Sequence, residues 1–256
     1  MLQAHSFLWH YLWVAPNVFL LVLGILCWKR SLHKHFPAFF AFALVGSVGQ
    51  LLVYAADVLP SVSGRIFWRV DWANLFVEGI LKFALVAEIF ARTFGDYASL
   101  AKTGKTLIRG VGVVLVFAAT AAAAYAPGDS RFGVISGAHL LEQAIFLIET
   151  GLLVFVFLFS SYFRLRMAWQ VFGIALGLSI SSCVHLATWA YMANVVVSDQ
   201  TRYLLDFLNM GVYHLCVLIW FYYLLLPHKV VINSAVPLPE HNLEVWNREL
   251  ERLLHP

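Results

Sequence analysis

Ionisable side chains lie within otherwise apolar stretches of the sequence, where they could bind a ligand, hold a metal or transfer a proton. Glu78 and Lys82 are four residues apart in "NLFVEGILKFALVAEIF", and Glu142 and Glu149 are seven apart in a later stretch. Residues at these spacings share one face of a helix. A charge in the middle of a bilayer costs on the order of 2.5 to 3.5 kcal/mol on insertion scales. The spacing therefore predicts a polar site on the inward faces of helices.

Two histidines join this set. At about 1.5 Å per residue along the predicted helices, His185 and His214 reach a depth similar to that of Glu78 and Glu149. The predicted ligand cavity consists of Glu78, Lys82, Glu142, Glu149, His185 and His214. Polar residues that extend it toward the outside are Gln50, Asn74, Gln143, Asp206 and Asn209. We expect a polar interior that opens outward.

The same residues permit other interpretations. Glu78 and Lys82 can neutralise each other, and a histidine can simply hydrogen-bond a neighbouring helix. Glu149, His185 and His214 are weak candidates for metal ligands, and the two histidines for a haem. No phosphate loop, nucleophile elbow or Cys-x-x-Cys supports catalysis. We therefore predict no catalytic residue and no cofactor, with a divalent metal or haem as the alternative.

The composition indicates an integral membrane protein. The chain has 256 residues, of which 61% are hydrophobic and 12% charged, whereas soluble domains carry roughly a quarter charged residues. A bilayer crossing needs about 20 apolar residues. Seven stretches qualify, about 8–28, 37–57, 66–92, 106–126, 137–162, 168–193 and 203–226. The fold prediction is an all-α bundle of seven transmembrane helices, or six if the fourth stretch is misread.

Lysine and arginine in the connections predict the orientation. Alternate connections hold twelve of these residues against four in the other set. Because basic loops stay in the cytoplasm, the N-terminus is predicted outside and the C-terminus inside. The chain is therefore predicted to cross the membrane several times, with the lipid bilayer as an obligatory partner.

Smaller features complete the predicted bundle. Gly173, Gly177 and Ser181 are four apart, a pattern that lets helices approach closely in lipid. Glu88 is expected to meet Arg92 one turn further on. The prolines at 16, 37 and 60 are expected near span ends, so that no span is interrupted.

The chain divides at residue 228. Residues 1–228 form the predicted transmembrane domain, and 229–256 a cytoplasmic tail with an amphipathic helix at about 239–254. The apolar face of this helix carries Leu243, Trp246, Leu250, Leu253 and Leu254. The face could pack against the chain's own loops or bind a partner protein. No nucleic-acid partner is expected.

Several stretches resemble a group of uncharacterised bacterial seven-span integral membrane proteins. They are "KRSLHKHFPAFFAFAL", "FGIALGLSI", "VLIWFYYLLLP" and "LEVWNRELERLL". This resemblance implies a multi-pass protein of the bacterial inner membrane, but no activity or site residues. The chain is also loosely similar to the seven-span sensory regions of bacterial histidine kinases. Only 30 residues follow position 226, so no output domain is expected.

These features favour a non-enzymatic membrane protein that senses a small ligand in an outward-facing polar cavity, serves as a subunit or scaffold of a membrane complex, or does both. A membrane enzyme or redox subunit that depends on a metal or haem is the first alternative. A transporter is the weaker alternative, because no internal repeat is visible.

Overall fold

The protein is all-α in the residues that its structure, a computed structural model, describes. These are residues 5–95, 131–162, 165, 167–194 and 198–226 and the separate residues 106, 110, 113, 117, 247, 248 and 251; side chains in 131–141 and 193–194 are not described. The long helices are α1 (Phe7–Lys29), α2 (Pro37–Val58), α3 (Gly64–Phe94), α4 (Arg131–Tyr162), α5 (Trp169–Asn194) and α6 (Asp199–Leu225). A 3-10 turn, Leu32–Lys34, joins α1 to α2.

Five of these helices are long and apolar enough to cross a bilayer: α1, α2, α5, α6 and, over Glu142–Tyr162, α4. Helix α3 is longer, at 31 residues, but it carries seven charged residues. Large apolar side chains on the outside, such as Ile80 and Leu158, are 68% and 65% exposed. Lipid is the solvent that suits such a surface. The prediction of an all-α, multi-pass membrane protein is confirmed at this level.

Two predicted elements fall largely outside the described residues. Of the fourth predicted span, 106–126, only Thr106, Gly110, Val113 and Phe117 are described, and each is helical. Of the predicted tail helix, 239–254, only Asn247, Arg248 and Glu251 are described, and these are helical as well. The apolar tail face from Leu243 to Leu254 is not described.

The six long helices of the described residues form a closed ring. Each packs on the next in chain order, α6 returns to α1, and α3 also touches α5. Helices α1 and α2 are antiparallel, because Trp13 lies 5.7 Å from Tyr54 while Trp28 lies 5.6 Å from Phe40. We call the end where α1 begins the cavity end, and the opposite end, where α1 leads into Lys29 and Arg30, the basic end.

Two neighbouring pairs in this ring are parallel. Helices α3 and α4 meet where the Lys82 ammonium lies 4.1 Å from the Phe146 ring, and again further on where Phe90 and Phe155 are 6.3 Å apart. The second contact lies closer to the C-terminus than the first on both helices, so the two helices run in the same direction. The chain therefore leaves α3 at the basic end and enters α4 at the cavity end, about 45 Å away at 1.5 Å per residue.

Helices α1 and α6 are parallel as well. The rings of Tyr11 and His214 are 5.8 Å apart near the cavity end. At the basic end the Arg30 guanidinium donates to the Leu225 carbonyl at 2.7 Å. That carbonyl lies in the last turn of α6, where no intrahelical donor remains, so Arg30 caps α6 from α1.

Glu88 has a similar capping role. Its Oε2 accepts a hydrogen bond from the Phe39 amide at 3.1 Å, in the first turn of α2, where the backbone N–H groups lack helical partners. The expected contact with Arg92 is not its main interaction: the Arg92 guanidinium lies 4.7 Å from the Phe36 ring. The carboxylate therefore joins α3 to α2, which explains a charge in an apolar stretch.

Two helices depart from regular α geometry beside the interior. Pro16, expected near a span end, lies inside α1, so that expectation was wrong. Because proline has no backbone N–H, the helical hydrogen bond from residue 16 to the Leu12 carbonyl cannot form. In α2, residues Phe42–Gly46 form a π-helical segment, a feature frequent at functional sites.

Small residues allow α5 and α6 to pack closely, as predicted from the sequence. A Cβ built on Gly173 would lie 2.1 Å from Tyr223 Cβ, and one on Gly177 would lie 2.4 Å from Trp220 Nε1. Trp220 is fully buried and donates to the Ile174 carbonyl at 3.2 Å. The indole has little freedom to move away.

We predict that Gly177→Ala destabilises the protein. The added methyl group displaces Trp220, an overpacking that costs about 1–3 kcal/mol and lowers the thermal midpoint in detergent. Gly151→Ala is the control, because within the described part of the chain no atom beyond its own helix backbone and chain neighbours lies within 4 Å of its Cβ position. Equal midpoints for the two variants would contradict the prediction.

Candidate functional site

A cavity of about 290 Å³ lies inside the bundle, and all six helices contribute to its wall. Along α3 the lining runs from Trp68 to Lys82, about 20 Å of helix, so the cavity extends from near the cavity end to mid-bundle. The predicted residues Glu78, Lys82, Glu142 and His185 all line it. Its volume lies at the lower limit for small-molecule sites.

Glu78 and Lys82 form the deepest polar contact of the cavity. The Lys82 ammonium lies 2.9 Å from Glu78 Oε1, one turn away on α3. Glu78 Oε2 accepts a second bond, at 2.7 Å, from the Gln50 amide on α2. Both carboxylate oxygens are therefore occupied. This ion pair agrees with the predicted mutual neutralisation, and Gln50 ties it to α2.

Glu142 and His185 meet across α4 and α5. His185 Nε2 lies 3.3 Å from Glu142 Oε1 and 3.0 Å from Trp189 Nε1. An indole N–H can only donate, so its bond needs an unprotonated Nε2. Donation to the carboxylate needs a proton on the same nitrogen. With a proton on Nε2, His185 can donate to Glu142; without one, it can accept from Trp189.

Glu149 is the least accessible carboxyl group of the predicted set, at 1% exposure. Among the described residues neither of its oxygens has a hydrogen-bond partner. The hydroxyl of Ser182 donates to the Leu178 carbonyl at 2.9 Å instead. Glu149 does not line the cavity, but it attracts Lys82 electrostatically. Lys82 thus pairs directly with Glu78 and interacts with Glu149 only at longer range.

His214 lies apart from the other predicted residues. Its ring is 5.8 Å from Tyr11 and 5.5 Å from Phe19, in the contact between α6 and α1, and it does not line the cavity. The expected grouping with His185 and Glu149 is not formed. Across the described part of the chain, no three His, Cys, Asp or Glu side chains lie close enough to hold a metal ion.

The structure adds lining residues that the sequence prediction lacked. Asn17, 3% exposed, lines the cavity; its Nδ2 donates to the Trp13 carbonyl at 2.8 Å. Its Oδ1 is buried and has no partner within the described chain. Asp71 and Tyr213 also belong to the wall. In the sequence, the polar Asn17 directly after Pro16 was the feature that could have indicated that α1 contributes a polar group to the wall.

Three residues of the predicted polar extension, Gln50, Asn74 and Asn209, line the cavity. The other two, Gln143 and Asp206, do not line it. A Cβ on Gly49 would lie 2.0 Å from Asn74 Oδ1, so the missing side chain of Gly49 leaves room for this amide. Asn209 Nδ2 donates to the Thr188 hydroxyl at 3.0 Å and so connects α6 with α5.

Comparison of the chain with protein-family models, with curated proteins and with solved structures finds no match. The resemblance to bacterial seven-span proteins and sensory regions therefore stays a prediction. Functional inference depends on the geometry of the cavity.

We predict strong coupling between Lys82 and Glu78. Lys82→Met leaves the Glu78 carboxylate without its cation, and removal of one partner of a buried pair costs about 3–5 kcal/mol. Glu78→Gln combined with Lys82→Met should cost less than the sum of the single changes. Thermal unfolding of the four proteins in detergent measures this difference.

The control is Lys34→Met, because Lys34 is exposed at the basic end. A surface change of this kind should alter the free energy of unfolding by no more than about 0.5 kcal/mol. Additive costs for the 78 and 82 variants would show that the pair is not coupled.

Proposed function

We propose that this protein is a non-enzymatic receptor of the bacterial inner membrane that binds a small ligand in its cavity and transmits the binding event to a partner. The observation that carries the proposal is the cavity itself, which all six helices line with charged, amide and aromatic groups. Ionisable residues within membrane helices are rare and are functional by default. Glu142 and His185 retain 28% and 22% side-chain exposure, so a solute can reach them.

Seven spans fit the helix directions best. Helices α3 and α4 are parallel, and so are α1 and α6. Successive crossings of a membrane run in opposite directions. Both pairs are then parallel if the chain crosses once more between residues 95 and 131. The apolar stretch 106–126 supplies a segment of suitable length.

The basic end supports a cytoplasmic assignment. Lys29, Arg30, Lys34 and Arg92 lie there, and positive residues concentrate on the cytoplasmic side. The cavity end, and the N-terminus with it, then faces outward. A ligand from outside would enter the cavity directly. A partner protein would contact the basic end and the tail face from Leu243 to Leu254.

Transport is the second candidate, and one observation favours it. Pro16 interrupts the hydrogen-bond ladder of α1 next to the cavity-lining Asn17. Interrupted helices beside a midplane site are common in transporters. Uptake of the ligand into proteoliposomes distinguishes this candidate, since a receptor would bind without accumulation. For a metal or haem enzyme, no observation within the described residues adds support.

We expect reporter fusions to detect the additional crossing. Green fluorescent protein fused after residue 100 should fluoresce, because that position is proposed to be cytoplasmic. A fusion after residue 129 should stay dark, since the reporter does not fold after export, whereas alkaline phosphatase there should be active. The same location for both positions would contradict seven spans.

A ligand bound in the cavity should be visible by native mass spectrometry of protein extracted gently from its own membranes. We expect a stoichiometric small mass on the wild type and its loss in Ser181→Phe, because Ser181 lines the cavity and phenylalanine would occupy it. Cys183→Phe is the control, since Cys183 is exposed on the same helix. A folded wild type without added mass, or a mass that Ser181→Phe retains, would contradict a ligand in this cavity.

A further inference from the structure

We propose that the turn between α1 and α2 binds the headgroup of an anionic phospholipid. This site lies at the basic end, outside the cavity, and goes beyond the proposed receptor function because it needs no ligand in the cavity. Three features of the turn support it: lysines without partners, a backbone that holds them in place, and a lipid-facing stripe on α1 that leads to them. Together they favour a phosphate group that is attached to acyl chains.

The turn carries positive charge that forms no ion pair among the described residues. Lys29 and Lys34 are exposed, and neither ammonium group has a hydrogen-bond or ion-pair partner in the described part of the chain. Arg30 adds a third charge, while its guanidinium donates to the Leu225 carbonyl. Phosphodiester oxygens carry the opposite charge and accept hydrogen bonds from ammonium groups. The turn is therefore a site to which such an anion is attracted.

Hydrogen bonds within the turn hold its backbone in place. The Ser31 amide donates to the Trp28 carbonyl at 2.9 Å, and the Lys34 amide donates to the Ser31 carbonyl at 3.2 Å. The Trp28 ring also stacks on the His33 ring, with centroids 5.3 Å apart. Because the backbone positions of the lysines are already fixed, an anion that binds between them has less ordering to impose.

An apolar stripe on α1 indicates that the anion belongs to a lipid. Val18, Val22 and Ile25 are exposed, and Lys29 continues the same helix face, since the spacings are four, three and four residues. Trp28, which is 62% exposed, directly precedes Lys29, and tryptophan is enriched at the level of lipid headgroups. The Lys29 ammonium is thus placed at the end of a surface that acyl chains cover.

The same geometry favours a lipid over an acidic segment of a protein. A soluble partner would approach the basic end from the water, whereas Lys29 continues the face of α1 that points into the bilayer. A net negative headgroup is favoured over a zwitterionic one, because the ammonium of a zwitterion competes with the lysines for its phosphate. Each basic residue near an anionic membrane surface contributes about fivefold in affinity.

The test measures lipid binding to the purified, delipidated full chain in detergent by native mass spectrometry at pH 7. The probes are dioleoyl phosphatidylglycerol and dioleoyl phosphatidylethanolamine, which share their acyl chains and differ in net charge. We expect the first phosphatidylglycerol to bind about tenfold or more tightly than the first phosphatidylethanolamine. Equal dissociation constants for the two lipids would overturn the proposal.

Lys29→Gln combined with Lys34→Gln should weaken phosphatidylglycerol binding about tenfold or more and change phosphatidylethanolamine binding far less. Arg65→Gln combined with Arg69→Gln is the matched control, since both arginines are exposed on α3 near the cavity end and the same two charges are lost. Its affinity for phosphatidylglycerol should equal that of the wild type. If the lysine double variant does not fold, Lys29→Gln alone decides, with an expected loss of about fivefold.

An equal loss of affinity in the two double variants would overturn the proposal, because net charge alone would then explain the binding. Displacement of the bound lipid by millimolar inorganic phosphate would assign the turn to a soluble anion and exclude the lipid. Ser181→Phe should leave phosphatidylglycerol binding unchanged, since Ser181 lines the cavity. Failure of the lipid site therefore leaves the receptor function untouched, and loss of the small cavity mass leaves the lipid site untouched.

Discussion

The buried ion pair between Lys82 and Glu78 determines how the rest of the bundle is arranged. An ammonium in the middle of an apolar helix needs an acidic partner close by. Glu78 contributes from the same helix, and Glu142 and Glu149 attract it from α4. Gln50 then fixes the Glu78 carboxylate to α2. This requirement places α2, α3 and α4 side by side and leaves a polar interior toward the cavity end.

The basic half of the bundle is packed differently. Phe39, Phe94, Leu85 and Val156 are almost completely buried there. Two charged side chains, Glu88 and Arg30, bind backbone groups at helix ends instead of each other. These contacts hold α2 against α3 and α6 against α1. The half toward the basic end is thus apolar and closely packed and fixes the helix positions. The half toward the cavity end is polar and contains the cavity.

The sequence was sufficient for the features that follow from composition and spacing. Helical membrane character, the Glu78–Lys82 pair and the close approach at Gly173 and Gly177 all depend on local pattern. The partners of Glu88 and His214 depend on how the helices are rotated against each other, which hydropathy does not encode. Depth alone grouped His214 with His185, but the face of α6 directs it toward α1. The predicted span 8–28 agrees with α1, so Pro16 lies in mid-span in both, and the error was the expectation that a proline would stand only near a span end.

The irregular helix segments lie beside the cavity, on helices that are held by their neighbours at the basic end. Pro16 in α1 and the π segment Phe42–Gly46 in α2 both adjoin cavity-lining residues, Asn17 and Phe42. Interrupted backbone ladders let a helix bend at small cost. At the basic end, α1 leads into Arg30, which caps the last turn of α6. At the same end, Glu88 caps the first turn of α2. Each irregular segment therefore lies beside the cavity wall on a helix whose basic end contacts a neighbouring helix.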